Sequence, residues 1–156
     1  MLTDEETPIL RGGQNVDSAD NPPSRDFKER TPTILIVEDE PLIRALLSDF
    51  LQECGFKVLE AAHAAEAIEI VQQPVVQIDL VFSDVRMPGE TDGFGLSRWI
   101  KENRPGLPVI LASGDIGKAN ATHELCANEP FLTKPYNFDV VVAHIRQLIA
   151  ARQTGV

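Results

Sequence analysis

Four short apolar runs in this chain each break directly into charged or hydroxyl-bearing residues. Ile34-Leu35-Ile36-Val37 runs into Glu38-Asp39-Glu40-Pro41, and Leu80-Val81-Phe82 runs into Ser83-Asp84 and then Met87-Pro88-Gly89. Val109-Ile110-Leu111-Ala112 ends in Ser113-Gly114, and Pro130-Phe131-Leu132-Thr133 delivers Lys134-Pro135. A short continuous aliphatic run bounded by turn residues reads as a strand covered on both faces. Such strands belong to parallel sheets, where ligands collect outside the carboxyl ends of the strands at the point where strand order reverses. The reactive residues are therefore expected at one mouth.

The segments between the runs read as helices. Asp39-Glu40-Pro41 supplies an acidic cap and a first-turn proline, after which Leu42, Ile43, Leu46, Leu47, Phe50, Leu51 and Cys54 follow at helical spacing until Gly55. Phe56 to Leu59 reads as a second strand, and Ala61 to Gln73 as a second helix with Ala67, Ile68 and Val71 inward and Pro74 ending it. Thr91-Asp92-Gly93 opens a third helix carrying Phe94, Leu96, Trp99 and Ile100, which Pro105-Gly106 closes. Gly117 to Ala127 is a weak fourth helix. Asn137 caps the last one, with Phe138, Val141, Val142, Ile145, Leu148 and Ile149 facing in. This alternation specifies a doubly wound α/β fold with right-handed crossovers. A flavodoxin-like (βα)5 three-layer sandwich with parallel strand order 2-1-3-4-5 would bring the first, third, fourth and fifth strand ends to one mouth. Cys54 and Cys126 then fall on opposite faces of the sheet and cannot form a disulfide.

At 156 residues there is room for one domain and a tail. Residues 1–30 are polar, acidic and without apolar periodicity, and are expected to be a disordered extension. The folded domain should span 31–152, with 153–156 a short tail. The net charge of −10, without a cluster of Lys and Arg or interleaved aromatics, excludes nucleic acid and anionic lipid as direct partners. No signal sequence or membrane span is legible at the start or within the chain, so a cytoplasmic location is expected. His63, His123 and His144 read as surface residues.

Glu38, Asp39 and Asp84 aim three carboxylates at one crevice. Two unit charges about 4 Å apart repel by roughly 4 kcal/mol at an effective dielectric near 20, so a divalent cation is implied. All-oxygen ligation favours Mg²⁺, which keeps several waters and bridges to phosphate. Lys134 adds an ammonium and Ser113 a hydroxyl. Phosphoryl transfer needs an in-line nucleophile and neutralised equatorial oxygens, and Asp84 with these neighbours meets that requirement.

The blocks Ile34-Leu35-Ile36-Val37-Glu38-Asp39-Glu40, Ser83-Asp84-Val85-Arg86-Met87-Pro88-Gly89, Asp92-Gly93, Leu111-Ala112-Ser113-Gly114 and Phe131-Leu132-Thr133-Lys134-Pro135-Tyr136 resemble the signature of response-regulator receiver domains of two-component systems, of the single-domain type. The resemblance covers the chain from about Thr33 to Ala150. It implies that Asp84 is the phospho-acceptor, that Asp39 and Asp84 ligate Mg²⁺ with Glu38 acting mainly through water, and that the backbone carbonyl of Arg86 completes the protein ligands. Lys134 would pair with the phosphoryl group, Ser113 would move to bond it, and Phe131 would turn inward with Ser113. A cis peptide between Lys134 and Pro135 is implied as well. Arg86 and Asp115 flank the mouth and are expected to tune hydrolysis of the acyl phosphate by controlling water access.

The partners that follow are a sensor histidine kinase or a histidine phosphotransfer protein, and a downstream protein target. The resemblance also leaves room for a homodimer. The chain catalyses its own phosphorylation and dephosphorylation in such a reading, and is a signalling switch more than an enzyme. No output domain follows the last helix, so the signal is expected to pass by protein contact or phosphorelay. A flavin-binding flavodoxin would need a Ser/Thr/Gly phosphate loop where Glu38-Asp39-Glu40 stands, and a haloacid-dehalogenase-type phosphatase would need a carboxylate where Arg86 stands. The remaining alternative is a receiver-like interaction module that works without phosphorylation.

Overall fold

The computed structural model describes residues 30–114 and 131–155. Five strands, β1 (Thr33–Val37), β2 (Lys57–Ala61), β3 (Leu80–Asp84), β4 (Val109–Ser113) and β5 (Phe131–Thr133), form one parallel sheet in the order β2-β1-β3-β4-β5. The expected order 2-1-3-4-5 is thus the observed one. β1, β3 and β4 are almost wholly buried, as strands covered on both faces must be.

Alternation along these strands divides the core into two layers. Ile34, Ile36, Leu80, Phe82, Ile110, Ala112 and Leu132 pack against α1 (Pro41–Glu53) and the last helix (Phe138–Gly155). Leu35, Val37, Val81, Val109 and Leu111 pack on the other face with α2 (Ala64–Gln72) and α3 (Gly93–Asn103). Leu96 and Ile100 of α3 are fully buried there, and Trp99 packs beside them, partly buried.

Helix ends are set by local chemistry. α1 starts with Pro41 at its first position and stops at Gly55, whose φ of +97° lets its N–H reach the Gln52 carbonyl at 3.0 Å. The N–H of the next residue, Phe56, returns to Leu51 O at 3.1 Å, and the buried Phe56 ring completes this left-handed stop. α1 is less one-sided than its apolar spacing suggests. Leu47 and Leu51 are buried, whereas Leu42 and Leu46 are 72% and 52% exposed. Seven apolar positions span more of the helix circumference than one sheet face can cover.

The second strand runs Lys57–Ala61, two residues past the expected end at Leu59, and two helix boundaries differ as well. The second helix begins at Ala64 and not at Ala61, because Ala61 is still paired with Val37 in the sheet. His63 then caps the helix, its Nδ1 accepting from Glu66 N–H at 3.2 Å while Glu66 reaches back to Ala62 N–H at 2.8 Å. The last helix runs to Gly155, through residues expected to be a tail. Arg152 explains part of the extension, since its guanidinium donates to the Asp79 carbonyl at 3.1 Å and ties that turn to the start of β3. At its other end, Asn137 caps it by accepting from Asp139 N–H at 2.6 Å.

His63 is exposed, as expected, but His144 is half-buried. Cys54 is a free, half-buried thiol. The N-terminal extension, the fourth helix, Asp115, His123 and Cys126 lie outside the described residues. Among the described residues, no helix is long and apolar enough to cross a membrane.

Candidate functional site

The alternation that builds the core also aims the acids. Counting by twos from Ile34 and Ile36 reaches Glu38, and from Leu80 and Phe82 reaches Asp84. The two carboxylates therefore leave the same face of adjacent strands, whose register pairs Ile36 with Phe82 and Val37 with Ser83. One acidic oxygen each from Glu38, Asp39 and Asp84 lie within 4.8 Å of one another. Glu38 and Asp84 are buried and Asp39 is exposed, so the group opens to solvent on one side.

Lys134 arrives from the tip of β5. Its Nζ lies 3.1 Å from Asp84 Oδ1 and 3.8 Å from Glu38 Oε1. Lys134 N–H donates to the Ser113 carbonyl at 2.9 Å, which joins the tips of β4 and β5 beside the acids. The Lys134–Pro135 peptide is cis. Ser113 is buried one residue past Ala112, the register partner of Asp84. Phe131, at the opposite end of β5, is half-buried and packs on the α2–α3 side of the sheet. Arg86 is exposed two residues beyond Asp84.

Burial is the chief influence on Asp84 and raises its pKa above 3.8, with the Lys134 hydrogen bond and charge opposing the rise. Burial likewise raises Glu38 above 4.5, opposed mainly by the Glu40 N–H that donates to its carboxylate at 3.1 Å. Three carboxylates against one ammonium leave two negative charges, the amount a divalent cation cancels. At such separations each unneutralised pair is worth roughly 3–4 kcal/mol at an effective dielectric near 20. The donor set is all oxygen, which suits a hard ion. The residues present thus fit a small divalent metal.

Several contacts that shape the site were not legible in the chain. Ser83 Oγ donates to the Asp84 carbonyl at 2.8 Å, locking the backbone at Asp84. The Tyr136 ring stands edge-on to Phe82 at 5.6 Å, and Phe138 links it to Phe50 of α1. Burial pushes the Tyr136 phenol up to about 12, with the charges of Glu38 and Asp84 adding to the rise. The ring is therefore an apolar wall of the mouth. Gly93 also belongs to the site. Its N–H donates to Val85 O at 2.8 Å, and its Cα lies so near the chain that a Cβ would overlap the Asp84 carbonyl. The Asp92-Gly93 pair was visible in the chain, but this close approach was not.

Residues 34–146 match the family model described as response regulator receiver domain. A transcriptional regulatory protein of Bacillus subtilis, YbdJ, is 33% identical over 74% of this chain and 50% of its own length. The sensor kinase CckA of Brucella abortus is 35% identical over 75% of this chain and 12% of its own. The chain thus spans about half, or much less, of these curated relatives. Among solved structures, a response regulator receiver protein from Sinorhizobium medicae superimposes with a TM-score of 0.71 at 28% identity, covering 79% of this chain and 98% of that one. The response regulator TrrA of Thermotoga maritima, in complex with Mg²⁺ and BeF, gives 0.68 at 30% identity, covering 76% and 99%.

Proposed function

The chain belongs to the response regulator receiver domain family, and from that premise we propose that Asp84 accepts a phosphoryl group from a histidine on a kinase or phosphotransfer protein, with Mg²⁺ bound beside it. One observation carries the reading: Asp84 meets the Lys134 ammonium at 3.1 Å and lies within 4.8 Å of acidic oxygens of both Glu38 and Asp39. In the step itself an Asp84 oxygen bonds to phosphorus as the donor's P–N bond breaks, and the histidine nitrogen leaves with the electron pair and takes up a proton. Asp39 and Asp84 would hold the metal directly, Glu38 through water, and the Arg86 carbonyl would complete the protein ligands. When bound, Mg²⁺ neutralises charge on the transferring oxygens.

Lys134 would pair with the phosphoryl oxygens, and Ser113 would supply a hydroxyl. The added group carries close to two negative charges and biases the domain toward the conformer in which Ser113 and Lys134 close on it, with Phe131 following. Arg86 is exposed two residues beyond Asp84. It and Asp115 would control the access of water to the acyl phosphate. The signal then passes by contact with a target protein or onward in a relay.

Beryllofluoride with Mg²⁺, read by Trp99 fluorescence and amide NMR, tests this reading. Saturable, Mg²⁺-dependent shifts are expected in the wild type and none in Asp84→Asn. A wild type that does not respond would leave only the interaction module that works without phosphorylation.

A protein donor must cover part of the rim to bring its histidine to Asp84. The first turns of α1, directly after Asp39 and Glu40, expose Pro41, Leu42, Ala45 and Leu46. An apolar face at that location favours a protein over a small-molecule donor. Leu46→Glu is expected to slow transfer from a phosphohistidine protein roughly tenfold, about 1.4 kcal/mol, while leaving phosphorylation by a small acyl phosphate unchanged. Equal slowing with both donors would refute a docking role for this face.

A further inference from the structure

We infer that Arg44 is a positioning residue for the metal site, holding the Glu38-Asp39 turn in the geometry that presents Asp39 to the cation. This rests on the receiver reading above and goes beyond it, since Arg44 lies outside the acidic group and the phosphoryl machinery.

Arg44 occupies the first full turn of α1, and its N–H makes the opening helical bond to Glu40 O at 2.9 Å. From there its guanidinium bridges two strand ends. One nitrogen donates to the Glu38 backbone carbonyl at 2.7 Å, and another donates to Glu60 Oε1 of β2 at 3.2 Å. The Glu38 N–H is also held, donating to Ala61 O at 3.0 Å. Glu38 is thus anchored on its backbone N–H by the sheet and on its carbonyl by Arg44. That carbonyl belongs to the peptide that leads into Asp39, so its orientation sets where Asp39 starts.

The anchor matters because the usual helix cap is missing. Glu40, the residue before α1, makes no side-chain cap of the kind that holds α2 and α3 at His63 and Asp92, and the turn's local side-chain bond, from Glu40 N–H to the Glu38 carboxylate at 3.1 Å, leaves the Glu38 carbonyl to Arg44. Asp39 is exposed, and packing does not fix it. A charge-assisted bond from a planar, forked guanidinium supplies direction as well as attachment. The ion pair with Glu60, whose side chain is 43% exposed, contributes little stability alone. Its use is to aim the fork.

Charge and geometry predict opposite results when Arg44 is removed. Coulomb's law says that deleting a cation near a divalent ion tightens metal binding. Loss of an outer partner that orients a ligand weakens it, commonly 10- to 100-fold. The experiment titrates Mg²⁺ into the wild type, Arg44→Ala and Arg44→Lys, following Trp99 fluorescence and the amide signals of Asp39 and Asp84, with urea unfolding of each protein in EDTA alongside.

Arg44→Ala is expected to bind Mg²⁺ about tenfold more weakly. Arg44→Lys, which keeps the charge but cannot span both acceptors, is expected to weaken it comparably. Binding by Arg44→Ala as tight as the wild type, or tighter, overturns the positioning role. Should Arg44→Ala fail to fold, Arg44→Lys decides: wild-type affinity there also overturns it. A wild type that shows no Mg²⁺-dependent change would instead overturn the receiver reading beneath it.

Discussion

Gly93→Ala is expected to destabilise the protein by about 3 kcal/mol and to impair phosphorylation beyond what that loss of stability explains. A Cβ on Gly93 would overlap the carbonyl oxygen of Asp84 and come within 2.7 Å of Val85 Cα. Both are backbone atoms, so no side chain can rotate away. The strand end has to shift, and it is the strand end that carries Asp84, the proposed acceptor. Ser83 Oγ and the Gly93 N–H both bond this stretch, at 2.8 Å each, and both bonds would be disturbed. Urea unfolding should show the midpoint falling by roughly 1–2 M. Gly95→Ala provides the contrast two residues on, where the new Cβ meets the Thr91 Cγ2 methyl at 2.8 Å. That methyl is the end of a side chain and can move, and alanine favours the helix by about 1 kcal/mol over glycine, so little net change is expected. Equal losses from both substitutions would rule out the close approach as the cause.

Lys134→Ala is expected to abolish phosphoryl uptake and to lower the stability of the metal-free protein by about 2 kcal/mol near neutral pH. The figure is discounted from that of a fully buried pair because the Lys134 side chain is 29% exposed, although its partner Asp84 is only 9% exposed. The pH dependence separates this from a loss of packing. Glu38 and Asp84 have folded pKa values above 4.5 and 3.8, so protonation favours the folded state. Their contribution is fully present below those ordinary values and declines as pH rises through the raised ones. Lys134 opposes the rise in both groups, and its removal raises them further. Wild type and variant should therefore converge near pH 4 and separate toward pH 7. Saturating Mg²⁺ should narrow the gap at pH 7, because it supplies the missing charge, without restoring phosphorylation. A stability difference that is the same at every pH would show that the aliphatic stem of Lys134, and not its charge, accounts for the loss.

The site was legible where it depended on neighbours in the chain. A run of buried apolar residues that ends in Glu38-Asp39, or in Ser83-Asp84, states both the strand and the point where it meets solvent. Alternation by twos then carries Glu38 and Asp84 to the same face. Lys134 was legible for the same reason, at the end of a third such run. The parallel sheet followed from helices alternating with strands, since a strand–helix–strand crossover returns the chain in the same direction and is right-handed.

Other features depended on residues that meet only after the layers pack. Arg44 looks like any arginine on an amphipathic helix, and nothing near it in the chain announces Glu60, 16 residues away. Leu42 and Leu46 share the apolar spacing of Leu47 and Leu51, and only the docking angle of α1 on the sheet decides which pair is covered. Arg152 meets the Asp79 carbonyl across 73 residues, so the length of the last helix was not a local property. The sequence by itself determined the strands, their parallel sense and the acids at their tips, because these follow from backbone periodicity and local turn chemistry. Tertiary structure decided how tightly the backbone of α3 approaches Asp84, which groups hold the Glu38-Asp39 turn, and which apolar face stays open beside the mouth. These are contacts between surfaces, and a surface exists only once the elements are packed.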